Sequence, residues 1–276
     1  MSFVINTNVN ALNAQNYLAN NQAGLSQAMQ RLSSGLRINT ASDDPAGLAI
    51  GLSMTNTSNS LRQGTRNAND GISLVQTAES AMNDIGQLLG QMSTLATQAS
   101  TGTYSSTQLS NLNTQFGKLL SEVNRVANVT SFNGINLLNG STGSLSIQVG
   151  SGNTSDDRLS ITLSNMTTGS AGLNIASLAV DTQAHAQAAL STLSAITAVT
   201  TGLADLGASE TNLQAAVTNN NAIATDLDAA KSRIVDADYA SESSNQAKYN
   251  VLTQSSIAML AQANSSPQMV LQLLKG

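Results

Sequence analysis

Residues 4–35 read VINTNVNALNAQNYLANNQAGLSQAMQRLSSG. Within them Val4, Ala11, Leu18, Leu25 and Leu32 recur every seven residues, and Ile5, Leu12 and Met29 broaden the stripe. A sustained seven-residue apolar repeat marks a helix that packs along a coiled-coil seam. The spacing predicts a helix over about 3–34, stopped by Gly35.

The other end carries a matching stripe. A final helix is predicted over roughly 240–274, with Tyr249, Leu252, Ser256, Met259 and Ala263 on its seam and Ile257 and Leu260 beside it. Pro267 reads as a local restart, followed by Val270, Leu271, Leu273 and Leu274. Both stripes are narrow. Ordering a long helix costs conformational entropy, and a thin apolar seam returns little of it. Neither terminus is expected to hold its shape alone; both are expected to fold against partner helices.

Between the ends, Asp44-Pro45 starts a helix as N-cap and first helical residue. It runs to about residue 99 with a clean 3-4 alternation: Val75, Ala78, Met82, Ile85, Leu89, Met92, Ala96 and Ala99. After a small polar loop, Leu109, Leu112, Phe116, Leu119, Val123 and Val126 form a second seam, predicting an antiparallel helical hairpin. Asn133-Gly134 and Asn139-Gly140 are turn pairs. Leu145, Ile147 and Val149 alternate at period two, as do Leu159, Ile161 and Leu163, and predict a β-hairpin. From about 183 to 235 one helical frame returns: Ile196, Val199, Leu203, Leu206, Leu213, Val217, Ala224, Leu227 and Ile234, interrupted at Glu210 and Asn220.

Composition narrows the function. Aromatic residues make up 3% of the 276 and charged residues 10%, with a net charge of -5. A core without large aromatics suits long helices joined through narrow seams, and a polar but weakly charged surface tolerates close packing of copies. No basic footprint for nucleic acid is present. The chain has no cysteine, so disulfides and thiolate metal sites are excluded. The start lacks the basic and apolar regions of a cleaved signal peptide, and no stretch approaches the roughly 18 apolar residues of a spanning helix.

No catalytic, cofactor or metal motif appears. His185 is the one histidine and reads as an exposed helix-starting residue. The 150–157 stretch reads as a plain hairpin loop, lacking P-loop and EF-hand spacing. Asp43-Asp44 and Asp236-Ala237-Asp238 read as helix caps rather than ligands. The Asn-x-Ser/Thr triplets at Asn56, Asn128, Asn153 and Asn165 fit chance in an Asn-, Ser- and Thr-rich chain, and Met82, Met92 and Met259 read as seam packing.

Several longer motifs point to a family. QRLSSGLRIN at 30–39, DDPAG at 43–47, RNANDGIS at 66–73, FNGINLL at 132–138, SRIVDADYA at 232–240 and LAQAN at 260–264 resemble the signatures of bacterial flagellins, in the family's order. The resemblance implies a mainly α fold: long coiled-coil helices from both termini plus a helical bundle domain with a small β-hairpin. It implies an inner filament layer from 1–42 and 237–276, and a surrounding domain from 43–180 with its returning helix at 181–236. Residues 165–181 lead almost directly back to helix, so the variable outer domains of larger flagellins look absent. Val4, Ile5, Leu12, Leu18, Leu25, Leu32, Leu252, Met259, Leu260, Val270, Leu271 and Leu274 are then the inner-layer packing residues.

The resemblance also implies a non-enzymatic subunit that polymerises with itself, outside the cell, on the bacterial flagellum. It implies secretion through the flagellar type III channel without a cleaved signal, and partners in an export chaperone holding the segment 252–274, the filament cap and the hook-associated proteins. Nucleic acid and membrane insertion are not expected. Flagellins that activate Toll-like receptors carry Arg and Glu where this chain has Gln91 and Gln115, while Leu95 matches; receptor activation is expected to be weak. The family's Gln-Asn-Arg is replaced by Glu210-Thr211-Asn212, and its terminal Leu-Leu-Arg becomes Leu274-Lys275-Gly276. The rival readings are a hook–filament junction protein, a flagellin-like cell-surface binding protein, or an enzyme seated in a variable region.

Overall fold

A computed structural model describes residues 7–273. Val4, Ile5 and Leu274 lie outside the described residues, as do the side chains of Val270 and Leu271. Among the described residues the elements are α1 (Val9–Ser34), α2 (Pro45–Ala99), α3 (Ser106–Val129), β1 (Ser131–Phe132), β2 (Ile135–Asn136), β3 (Ser144–Gln148), β4 (Arg158–Thr162), α4 (Gln183–Ala189), α5 (Thr192–Val235) and α6 (Tyr239–Leu273). They form two compact units: an end unit, of the residues up to Asn56 and from Asp226 onward, and a middle unit, Thr57–Thr225. The fold is mainly α, with long helices at both ends and small antiparallel hairpins.

In the middle unit the α2 seam packs as its alternation requires. Val75, Ala78, Met82, Ile85, Leu89, Met92, Ala96 and Ala99 are all fully buried, together with Phe116 and Val123 of α3 and Val199, Leu206 and Leu213 of α5. Ser105 starts α3 with a reciprocal cap: its hydroxyl accepts from the Gln108 N–H, and the Gln108 side chain accepts from the Ser105 N–H. The hairpin register pairs Leu145 with Ile161 and Ile147 with Leu159, which puts both apolar alternations on one face. A second hairpin, β1–β2, was not expected. It closes through Asn133 and Gly134, with φ of 49° and 80°, the two left-handed residues of a tight turn.

Residues 163–182 form an irregular segment pinned by backbone bonds, among them Met166 N–H to the Leu138 carbonyl (2.8 Å) and Ile175 N–H to the Thr168 carbonyl (2.9 Å). Met166, Ile175 and Val180 bury their side chains there.

In the end unit, the connector after α1 docks on the end of α5. Arg37 N–H donates to the Val235 carbonyl (2.7 Å), and Ala237 N–H to the Gly35 carbonyl (2.9 Å). Asp43 accepts from the N–H groups of Asn39 and Thr40 and from the Thr40 hydroxyl. Asp44 caps α2 through the Gly47 N–H (2.9 Å), and Asp238 caps α6 through the Ala240 N–H (3.0 Å).

The structure corrects five sequence-based expectations. First, the described α1 begins at Val9 and does not include residues 7 and 8, because Asn8 caps it: its side chain accepts from the Ala11 N–H; the expected start near residue 3 lies outside the described residues. Second, the stretch 183–235 is two helices, since the chain turns at Leu190 and Ser191. Third, α6 runs through Pro267 without a restart. Fourth, the α6 seam keeps Tyr249, Ser256 and Ala263 but takes Thr253 and Leu260 in place of Leu252 and Met259, which are exposed. Fifth, an 18-residue window within Gln183–Val235 reaches a mean hydropathy of 1.3, long and apolar enough to cross a membrane. It escaped notice because Thr and Gly interleave its Ala, Val, Ile and Leu, leaving no unbroken run. Core helices meet the same criterion, and Ala195, Val199 and Leu206 of this stretch lie in the middle-unit core.

Candidate assembly surface

The end unit pairs α1 with α6 along a narrow seam in which leucines alternate with small and polar side chains. On α1 the inward face is Ala11, Ala14, Leu18, Asn21, Leu25, Ala28 and Leu32, a strict 3-4 spacing. The alanines allow close approach, and the ring of Tyr249 lies directly over Gly24. Three side-chain bonds set the antiparallel register. The Asn8 amide donates to the Ala263 carbonyl (2.8 Å), the Asn21 amide donates to the Ser256 hydroxyl (2.9 Å), and Arg31 pairs with Glu242 (2.9 Å). That ion pair is largely shielded, its side chains 24% and 11% exposed.

A second set of large apolar side chains points elsewhere. Val9, Leu12, Tyr17 and Met29 of α1, and Val251, Leu252, Ile257 and Met259 of α6, are exposed. Tyr17 and Met259 are each 67% exposed. Tyr17, Leu252 and Met259 line an open groove of ≈ 670 Å³ together with Asn10, Asn13 and Gln262. A run of exposed apolar side chains along a helical pair marks a surface for association. Of the residues expected to pack the inner layer, Leu18, Leu25, Leu32 and Leu260 face the seam within the chain, whereas Leu12, Leu252 and Met259 face outward.

Gln91, Leu95 and Gln115 come together in the middle unit. With Thr94, Lys118 and Leu119 they line a shallow groove of ≈ 500 Å³ between α2 and α3. Both glutamines are exposed and Leu95 is half-buried. The remaining polar candidates are structural. His185 is exposed, its Nδ1 lying 2.6 Å from Asp181. The 150–157 loop is organised by Asp157, which accepts from the Gly152 and Thr154 N–H groups and the Thr154 hydroxyl; these bonds hold its carboxyl below the usual range.

Glu210 and Asn220 interrupt the α5 frame for different reasons. Asn220 is buried, and its amide donates to the Val149 carbonyl (2.8 Å), fastening α5 to the hairpin. Glu210 accepts from the Gln76 amide (2.8 Å) and lies near Glu79, whose carboxyl is pushed up by burial and then by the Glu210 charge. A carboxyl raised in the folded state favours folding while protonated. That contribution is complete below the ordinary carboxylate value and is lost as pH rises through the raised one. Glu210→Gln keeps an acceptor for Gln76 and removes the like charge. It is expected to raise the melting midpoint by about 1–3 °C at pH 7, solvent screening keeping the effect small. At pH 4 the gain should shrink, as circular dichroism melts at the two pH values would show.

The register bonds were missed by sequence reading. Asn8, Asn21 and Arg31 meet partners more than 200 residues away, and no local pattern announces such a pairing. The one available signal was the placement of polar residues at seam positions of an otherwise apolar repeat.

A paired set of terminal helices, joined by one narrow seam and carrying a second set of bulky apolar residues outward, fits a self-associating helical subunit. Comparison with known proteins agrees. Residues 5–143 match the bacterial flagellin N-terminal helical region, and residues 189–274 match the bacterial flagellin C-terminal helical region. The chain belongs to the bacterial flagellin family. It is 38% identical over 285 residues to a flagellin of Listeria innocua, covering 98% of this chain and 99% of that one. It is also 38% identical over 273 residues to a flagellin of Halalkalibacterium halodurans, covering 99% and 100%. The crystal structure of Bacillus cereus flagellin is similar at 27% identity and a TM-score of 0.50, over 56% of this chain and 88% of that one. Flagellins are structural proteins, not enzymes: this chain is a subunit that polymerises with its own kind into the flagellar filament, outside the cell.

Proposed function

We propose that the terminal helices of this flagellin order as each subunit enters the filament, and that their outward apolar residues are buried there by neighbouring copies. The observation that carries this reading is the division on α1 and α6: one narrow seam of alanine, leucine, asparagine and serine between them, and a second set of apolar residues, Leu12, Tyr17, Leu252 and Met259, left on the outside. A seam of that kind buries little apolar area per ordered residue, so the pair gains most of its stability from partners. In this reading 1–42 and 237–276 form the inner layer and 43–236 the surrounding domain. The subunit leaves the cell unfolded through the flagellar export channel, keeping its N-terminus. A chaperone covers the segment 252–274 beforehand, and cap and hook-associated proteins bound the filament at its two ends. Purified chain added to short filament seeds is expected to lengthen them in negative-stain micrographs; seeds that stay the same length contradict the reading.

The groove at Gln91, Leu95 and Gln115 bears on immune recognition. Neutral amides replace the charges that activating flagellins carry at two of these positions, and hydrogen bonds between ions are the stronger kind. Weak or absent activation of a Toll-like-receptor reporter cell is expected. The pair Gln91→Arg and Gln115→Glu is expected to raise the response; potency equal to an activating flagellin in the unaltered chain contradicts this.

A further inference from the structure

Asn8 holds two positions at once. Its side-chain carbonyl accepts from the Ala11 N–H (3.1 Å) and so begins α1. Its side-chain amide donates to the Ala263 carbonyl (2.8 Å) on α6. In an α-helix the partner of that carbonyl is the N–H four residues on. Here that residue is Pro267, which has no N–H. The helix nevertheless continues to Leu273. One turn of α6 therefore carries a carbonyl without its usual donor four residues on, and the contact is half-buried, where an unmade hydrogen bond is costly. The preceding carbonyl, of Gln262, accepts from the Ser265 hydroxyl (2.9 Å), so this turn leans on side-chain donors.

We infer that Asn8 is a positioning residue that fixes the register at one end of the α1–α6 pair, alongside Asn21 and Arg31, starting α1 with one half of its amide group and filling the gap Pro267 leaves in α6 with the other. A cap without an amide, such as Asp or Ser, starts the helix as well but leaves Ala263 unpartnered. The proline makes the device specific, because only the Ala263 turn lacks its own donor for want of an N–H at 267. A one-residue slip of α1 along α6 would present Asn8 to a carbonyl already bonded within the helix.

The inference rests on the reading that the paired ends are the assembly element, so it is tested in filaments. Asn8→Asp and Asn8→Ser both retain a capping oxygen, and Ser adds no charge. Each is expected to raise the critical concentration for seeded growth about fivefold, the worth of one hydrogen bond. Pro267→Ala restores an N–H four residues beyond Ala263. In that background the same Asn8 substitutions are expected to change the critical concentration by less than about twofold. Equal losses in both backgrounds overturn the proposal, as does no loss in either. Failure of the unaltered chain to grow on seeds counts against the assembly reading itself.

Discussion

Leu25→Asp is expected to abolish filaments while the middle unit keeps its fold. Leu25 belongs to the α1 heptad repeat and is half-buried on the seam, next in sequence to Gly24, over which the Tyr249 ring lies. Arg31, one turn and a half away, is already paired with Glu242 and does not compensate a carboxylate placed there. Burying an unpaired charge costs several kcal/mol, and each ~1.4 kcal/mol is a tenfold change in an equilibrium constant. The critical concentration should therefore rise by roughly two orders of magnitude or more, beyond any practical protein concentration. Amide exchange in Thr57–Thr225 should match the unaltered chain. Normal filaments by electron microscopy contradict the assignment of α1.

The second large effect is expected in the middle unit, at Gly64. A Cβ at this position would lie 2.0 Å from the Val149 carbonyl oxygen and 2.8 Å from its carbon. Backbone, not a flexible side chain, is in the way, so the β3–β4 hairpin must shift. The same carbonyl is the acceptor for the buried Asn220 amide, and the Asn67 amide holds the next carbonyl, of Gln148 (2.9 Å). Moving the hairpin strains packing and leaves a buried donor unmatched. The better helix propensity of alanine returns about 1 kcal/mol. Gly64→Ala should still destabilise the unit by about 2 kcal/mol, lowering the melting midpoint by roughly 4–8 °C. An unchanged midpoint would mean that the hairpin is not held against α2.

These two sites mark what sequence reading reaches and what it does not. The middle unit was legible because its helices bury one face in one core. Val75 to Ala99 alternate by threes and fours with no polar intruder, and each of those residues is fully buried. The hairpin was legible for the same reason at period two. Gly64 was not, because a helical glycine reads only as a weak spot until the carbonyl above it is seen. Asn220 likewise read as an interruption, although it is the residue that fastens α5 to Val149.

At the chain ends the α6 pattern was right in period and at Tyr249, Ser256 and Ala263, and wrong at the two positions between them. Hydrophobicity favoured Leu252 and Met259 for the seam, yet Thr253 and Leu260 occupy it. Bulk alone cannot decide a face when the helix has two faces to fill. The motif around QRLSSG carried its meaning in the same hidden way. Arg31 is there for Glu242, across 211 positions of chain, and only the folded pair explains the residue.

The most direct test compares amide hydrogen exchange of Val9–Ser34 and of the 239–266 part of α6 in dilute subunits and in assembled filaments. Exchange within seconds in the subunit, and protection lasting hours in the filament, is the expected result. Equal, strong protection of both segments in the dilute subunit would contradict ordering on assembly.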